Sequence, residues 1–230
     1  MAQIADKVGF WEITIWLFAV IIPALLIVLY LYVIWGFFPY TWFLLDIHHA
    51  EPSAIFLNAY MHMPDGGIHL AKNIWVYLAT LALIIITYTR VLPKRKANGY
   101  DPRCFMDAGV TYLIAIPIFG SLMDLMFGKY FGMTVTCGFS IISMAFLGYL
   151  IWLMADLAWN GYLSKPEWES KWRRPTEIGV SVGFIVFCLG IVILDAATNP
   201  SINLLAHLTG FSGGLVIAWG VNRVCSDAGD

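Results

Sequence analysis

Six long apolar segments set the terms for what this chain can fold into. They run at about 12–37, 68–92, 107–127, 137–158, 176–195 and 202–222, separated by polar breaks such as PKRKANGYDPR at 93–103 and NGYLSKPEWESKWRRPTE at 160–177. Roughly 20 apolar residues carry a helix across a bilayer. Hydrocarbon offers backbone groups no partner, so an apolar run of that length must satisfy its own N–H and C=O groups as a helix. A soluble domain is about 45–50% apolar and about 25% charged. This chain is 60% apolar and 12% charged, which excludes soluble, disordered and nucleic-acid-binding classes. A net charge of −2 leaves no case for a polyanionic partner. The expectation is an all-α membrane protein, a single domain over 1–230 with short tails at 1–10 and 224–230. The first segment follows a short tail bearing Asp6 and Lys7 and is longer than the apolar core of a signal peptide, so it reads as a retained span.

Basic residues orient the bundle. Arg90, Lys94, Arg95, Lys96 and Arg103 lie between segments two and three. Lys165, Lys171, Arg173 and Arg174 lie between four and five, and Lys7 and Arg223 flank the termini. That bias predicts both termini and these connections in the cytosol. The four cysteines, Cys104, Cys137, Cys188 and Cys225, show no paired spacing, so neither a disulfide framework nor a thiolate metal site is expected. His48-His49-Ala50-Glu51 does not make HExxH. No metal and no cofactor are expected.

Polar side chains inside apolar spans are costly, and each is a functional candidate. His69 and Asn73 are four apart near the start of the second segment and share a helix face. His207, Gly210 and Gly214 share a face at the start of the sixth, where the two glycines form a GxxxG stripe that admits a neighbouring helix closely. The fourth segment opens Thr136-Cys137-Gly138-Phe139-Ser140. Segments two, four and six run from outside to inside, so His69, Asn73, Ser140 and His207 lie at similar depth. A hydroxyl, an imidazole and hydrogen-bond donors converging near helix N-termini are the minimum apparatus for acyl transfer. Gly210-Phe211-Ser212-Gly213-Gly214 matches G-x-S-x-G, but that motif acts on a strand–turn–helix and here falls in an apolar helical run. Ser212 therefore reads as a helix-contact residue. Asp124 and Asp156 carry no paired-aspartate signature, which argues against aspartyl chemistry.

Three segments together resemble the rhomboid family of intramembrane serine proteases. MHMPDGGIHLAKN (61–73) is similar to the family's H…HLxxN pattern. GFSIISMAFLGY (138–149) is similar to GxSGxxxAxxGY through Gly138, Ser140, Ala145, Gly148 and Tyr149. AHLTGFSGG (206–214) matches HxxGxxxG through His207, Gly210 and Gly214. The resemblance covers about residues 10–224 and implies a six-transmembrane-helix bundle. It also implies a Ser–His dyad that cleaves transmembrane segments of other membrane proteins near their outer ends. On it, Ser140 is the nucleophile and His207 the general base. His69 and Asn73 donate to the oxyanion beside the Ser140 N–H, and Gly138, Gly148, Gly210 and Gly214 serve helix packing. The aromatic-rich 37–66 connection is similar to the family's first loop, with His62 near, but out of register with, an extra family histidine.

Two positions depart from the pattern: Ile141 replaces the second glycine of GxSG, and Met144 stands where many members have a tyrosine. They motivate an alternative, a rhomboid-like protein that binds transmembrane clients without cleaving them; a small transporter is a third reading. The implied partners are transmembrane substrates and the lipid bilayer, with no nucleic acid. The implied setting is the cell membrane with the site facing outward. The motifs carry no oligomeric state.

Overall fold

The computed structural model describes residues 2–61, 67–91, 102–133, 135–136, 138–163 and 203–227, together with Gly183, Val186 and Gly190. The expected fifth segment, 176–195, thus lies almost wholly outside the described residues. Helix α1 (Ala2–Ile15) passes through a π-helical turn, Trp16–Ile21, into α2 (Ile22–Ile34). The widened turn sits just before Pro23, which has no N–H to give the helical ladder. Within that turn the Phe18 carbonyl accepts the Tyr77 hydroxyl at 2.8 Å.

The chain then leaves the helix at Gly36, with φ at +78°, and forms a loop with short elements of its own. A 3₁₀ turn, Tyr40–Trp42, leads to β1 (Leu45–Asp46) and then to α3 (Pro52–Leu57) with a closing 3₁₀ turn, Asn58–Tyr60. The second crossing is α4 (Ile68–Ile86), ending in a π turn, and α5 (Pro102–Phe127) is the third. β2 (Val135–Thr136) pairs antiparallel with β1, Leu45 opposite Thr136 and Asp46 opposite Val135. This short bridge ties the first loop to the approach of α6 (Ser140–Leu163). The last helix is α7 (Leu204–Asp227).

Among the described residues, five helical stretches are long and apolar enough to cross a membrane: Gly9–Ile34, Ile68–Thr89, Arg103–Tyr130, Ser140–Leu157 and Leu204–Val224. They differ sharply in burial. The α6 stretch is 78% buried, against 22–39% for the other four. A helix that is apolar on every side belongs at the centre of a bundle, and α6 occupies that place. Its Phe146 ring meets Phe18, Tyr77 and Tyr112 edge-on, with centroids 5.8, 5.0 and 5.3 Å away. Edge-to-face geometry suits aromatic quadrupoles. Gly109 of α5 makes room for this cluster, since a Cβ there would stand 2.6 Å from the Phe18 ring.

Several buried hydroxyls in the spans are paired across helices. The Tyr112 hydroxyl donates to the Gly214 carbonyl at 2.8 Å, and the Tyr88 and Tyr149 hydroxyls lie 2.6 Å apart. Pro117 lies inside α5 and cannot donate to the carbonyl four residues back. That carbonyl, on Leu113, accepts the Tyr60 hydroxyl from the first loop instead.

The closest helix contact is that of α6 with α7. A Cβ at Gly210 would stand 2.2 Å from the Ile141 carbonyl oxygen, and one at Gly214 would stand 2.2 Å from that of Ala145. From the other side, a Cβ at Gly148 would lie 2.4 Å from the Phe211 carbonyl oxygen. Partners advance together along both helices, so α6 and α7 run parallel.

Two expectations need correction. The fourth segment becomes helical at Ser140 rather than 137, because Gly138 adopts φ +149°, a conformation that L side chains rarely take. Gly138 forms the turn that leads into α6. Cys104, expected to be free, is buried and disulfide-bonded, to a cysteine whose side chain lies outside those described. Sequence spacing cannot foresee a pairing that helix packing creates.

Gly214→Val is expected to destabilise the protein by at least about 1–3 kcal/mol, the usual cost of overpacking, because its methyls meet backbone that cannot move aside. Gly220→Ala, where a Cβ meets nothing within 4 Å, is expected to be neutral or stabilising by up to about 1 kcal/mol. Denaturant titration in detergent micelles measures both.

Candidate active site

Ser140 is the first residue of α6 and is buried, with 8% of its surface exposed. The lead-in turn is built by three contacts. The Gly138 N–H donates to the Asn58 carbonyl at 2.8 Å, and the Phe139 carbonyl accepts from both Ile142 and Ser143 N–H at 3.1 Å. The first N–H groups of a helix have no intrahelical acceptor. Those of Ser140 and Ile141 therefore sit at the positive end of the α6 dipole, where developing negative charge is stabilised. One turn on, the Ser143 hydroxyl lies 3.2 Å from the Asn73 carbonyl of α4. That contact brings Asn73, itself buried, alongside the start of α6. His69, one turn earlier on α4, is half-buried.

His207 is buried in the first turn of α7, its N–H donating to the Asn203 carbonyl at 3.1 Å. It lies one turn before the Gly210–Ile141 contact and on the same face. This register sets His207 level with the Gly138–Ser140 turn. Asn203 anchors the arrangement. Its side-chain carbonyl caps α7 by accepting the Ala206 N–H at 2.8 Å. Its amide donates to Asp124 Oδ2 of α5 at 2.8 Å and to Thr136 Oγ1 of β2 at 2.7 Å. One asparagine thus ties the end of α5 and the start of α7 to the strand that leads into Ser140.

Ser140 lines a small cleft of about 20 Å³, room for about one water, walled also by Ile141, Gly120, Ser121, Asp124, Thr136 and Asn203. The Ile141 side chain has a reserved place here: a Cβ on Gly120 would stand 1.9 Å from its Cδ1. The branched residue beside the nucleophile candidate is accommodated by a glycine on α5. Met144 packs with Leu147 and Ile151 and against Phe211 and Leu215. The Ser121 hydroxyl lies 2.6 Å from the Ile55 carbonyl and 3.1 Å from Asn58 Oδ1, fastening the first loop to α5 beside the cleft.

The remaining sequence candidates sit apart. Ser212 is exposed, its hydroxyl donating to the Leu208 carbonyl of its own helix at 2.7 Å. His48 and His49 are exposed, and their N–H groups donate to Asp46 Oδ1 at 2.8 and 3.2 Å. Those contacts, His48's foremost, hold the Asp46 carboxyl below its ordinary range. His62 lies outside the described residues.

Sequence reasoning missed Asn203, Asn58, Ser121 and Thr136. Asn203 alone had a local signal, as a capping residue just before an apolar helical run. Asp124 was visible as an ionisable group at a span end but had no visible partner.

A bundle of membrane-crossing helices with a buried serine at the start of one helix and a buried histidine in the first turn of another defines an integral membrane protein. The family model described as Rhomboid domain matches residues 105–224, just over half of the chain, and the chain belongs to the rhomboid family. Members of this family are in general intramembrane serine proteases, which places the chain in the bilayer among transmembrane substrates. No curated protein and no solved structure matches the chain.

Asn203→Ala is expected to destabilise the fold by about 2–4 kcal/mol, from the lost cap and the carboxylate oxygen left without its donor. Detergent unfolding measures the loss.

Proposed function

We propose that this chain is an active intramembrane serine endopeptidase working through a Ser140–His207 dyad. The single observation that carries this reading is the position of Ser140. It is a buried hydroxyl at a helix N-terminus, facing a polar cleft, on the helix against which the His207-bearing helix packs most closely.

The substrate is a transmembrane segment whose end unwinds to present a peptide carbonyl. His207 takes the Ser140 proton as Oγ bonds to the carbonyl carbon. The oxyanion is held by the Ser140 N–H, with His69 and Asn73 as further donors. The intermediate collapses with cleavage of the C–N bond as His207 returns the proton to the leaving amine. Water then repeats the sequence on the acyl-enzyme and releases the acid. The whole chain, 1–230, acts as one membrane domain, with both termini cytosolic and the site facing outward in the cell membrane.

The alternative, a client-binding protein without proteolysis, rests on Ile141 and Met144. Gly120 speaks against it, because that glycine clears space for Ile141 instead of leaving it over the hydroxyl.

Ser140→Ala is expected to abolish cleavage of a model transmembrane substrate in proteoliposomes, at least 100-fold below wild type, while Ser212→Ala cleaves normally. A fluorophosphonate is expected to label Ser140. A folded sample that is neither labelled nor active supports the binding role.

A further inference from the structure

Cys104 is the third residue of α5, has no exposed surface and is disulfide-bonded. The other cysteines of the chain are Cys137, Cys188 and Cys225, and the seam between α5 and α7 distinguishes among them. At the Ser140 end, Asp124 Oδ2 accepts the Asn203 amide at 2.8 Å. Further along, a Cβ on Gly213 would stand 2.7 Å from Ile116 Cδ1, and the Tyr112 hydroxyl donates to the Gly214 carbonyl at 2.8 Å. Beyond these, Tyr149 of α6 joins the two helices. Its ring lies edge-on to Phe105, centroids 5.4 Å apart, and its hydroxyl accepts the Asn222 amide at 3.4 Å. Numbers fall along α5 as they rise along α7, so the helices run antiparallel in one register. The next positions along that register are 104 and 225. Cys104 heads the buried stripe of Ala108, Tyr112 and Ile116. Position 225 comes eleven residues after Gly214, close to three full turns, and so shares its helix face.

We propose that Cys225 is the partner of Cys104, and that their bond is a covalent clamp between the third and last crossings at the end opposite Ser140. A disulfide requires Cα atoms about 4.4–6.8 Å apart. Cys137 is too distant: it follows Thr136, which shares the Asn203 amide with Asp124, and Asp124 stands about 30 Å of helix from Cys104. Cys188 comes twelve residues after the start of the expected fifth segment, whereas Cys104 is in the first turn of its crossing. The clamp complements the Asn203–Asp124 hydrogen bond, so the α5–α7 seam is fastened at both ends. Closing it joins two sulfurs and passes two protons and two electrons to an incoming disulfide, which leaves as two thiols. With Cys104 fully buried, a thiolate in water has no access to its sulfur while the bundle stays folded.

Peptide mapping of the purified full chain tests the pairing. The protein is unfolded with iodoacetamide and no reductant, digested, and read by mass spectrometry. The peptide bearing Cys104 is expected to be joined to the one bearing Cys225. Cys104 joined to Cys137 or Cys188, or recovered alkylated, overturns the assignment. Cys104→Ser and Cys225→Ser are each expected to lower the melting temperature in detergent by about 5–10 °C. The double variant is expected to fall no further than either single one, because the same bond is lost in all three. Additive losses, or no loss in either single variant, overturn the clamp. Mapping of the wild-type chain decides the pairing even where a variant fails to fold.

Discussion

Everything at the candidate site depends on two helix backbones approaching without side chains between them. Gly210 and Gly214 of α7 meet the Ile141 and Ala145 carbonyls of α6, and Gly148 meets the Phe211 carbonyl from the opposite side. In lipid, helices gain little from excluding apolar surface, and close van der Waals contact between small residues is the main source of association. The contact here does more than hold two helices together. It fixes their axial register, and the register decides which residues of the two N-terminal turns stand side by side. The register brings the first turn of α7, which carries His207, beside the start of α6.

A second constraint is that buried backbone groups must find partners, and the fold uses irregularities to join its parts. Pro117 leaves the Leu113 carbonyl without its helical donor, and Tyr60 of the first loop supplies one. The π turn in the first crossing presents the Phe18 carbonyl to Tyr77. Both sites would be defects in an isolated helix. In the bundle they are the points at which the loop and the second crossing attach. The first loop is thereby fastened on three sides, by Tyr60, by Ser121 and by the β1–β2 bridge. Its Asn58 carbonyl then holds Gly138, so the turn that presents Ser140 is supported by a segment about 80 residues earlier.

The same two constraints separate what was legible from what was not. The five described crossings and the glycine stripe were readable because membrane burial imposes length and composition directly on the sequence. Ser140, His207, His69 and Asn73 stood out as candidates because the spacing of polar residues within apolar runs is a strong signal against a quiet background. The Asn203–Asp124–Thr136 network was not, since its members come from three separated segments and each is unremarkable alone. Ile141 illustrates the gap. In the sequence it is a bulky residue in place of a glycine; in the structure its bulk is absorbed by Gly120, on a different helix and 21 positions earlier.

The amino-acid sequence by itself determined that this chain lives in a bilayer as a helical bundle, and it marked the starts of its second, fourth and sixth apolar segments as candidates for chemistry. Those properties follow from local cost: each residue's transfer into hydrocarbon and each glycine's missing side chain are written at its own position. Only the tertiary structure decided that α6 stands at the centre, that Gly138 turns the chain so that Ser140 begins a helix, and that Asp124 opens into the same cleft. These depend on distances between residues far apart in the chain, which packing sets and linear order does not record.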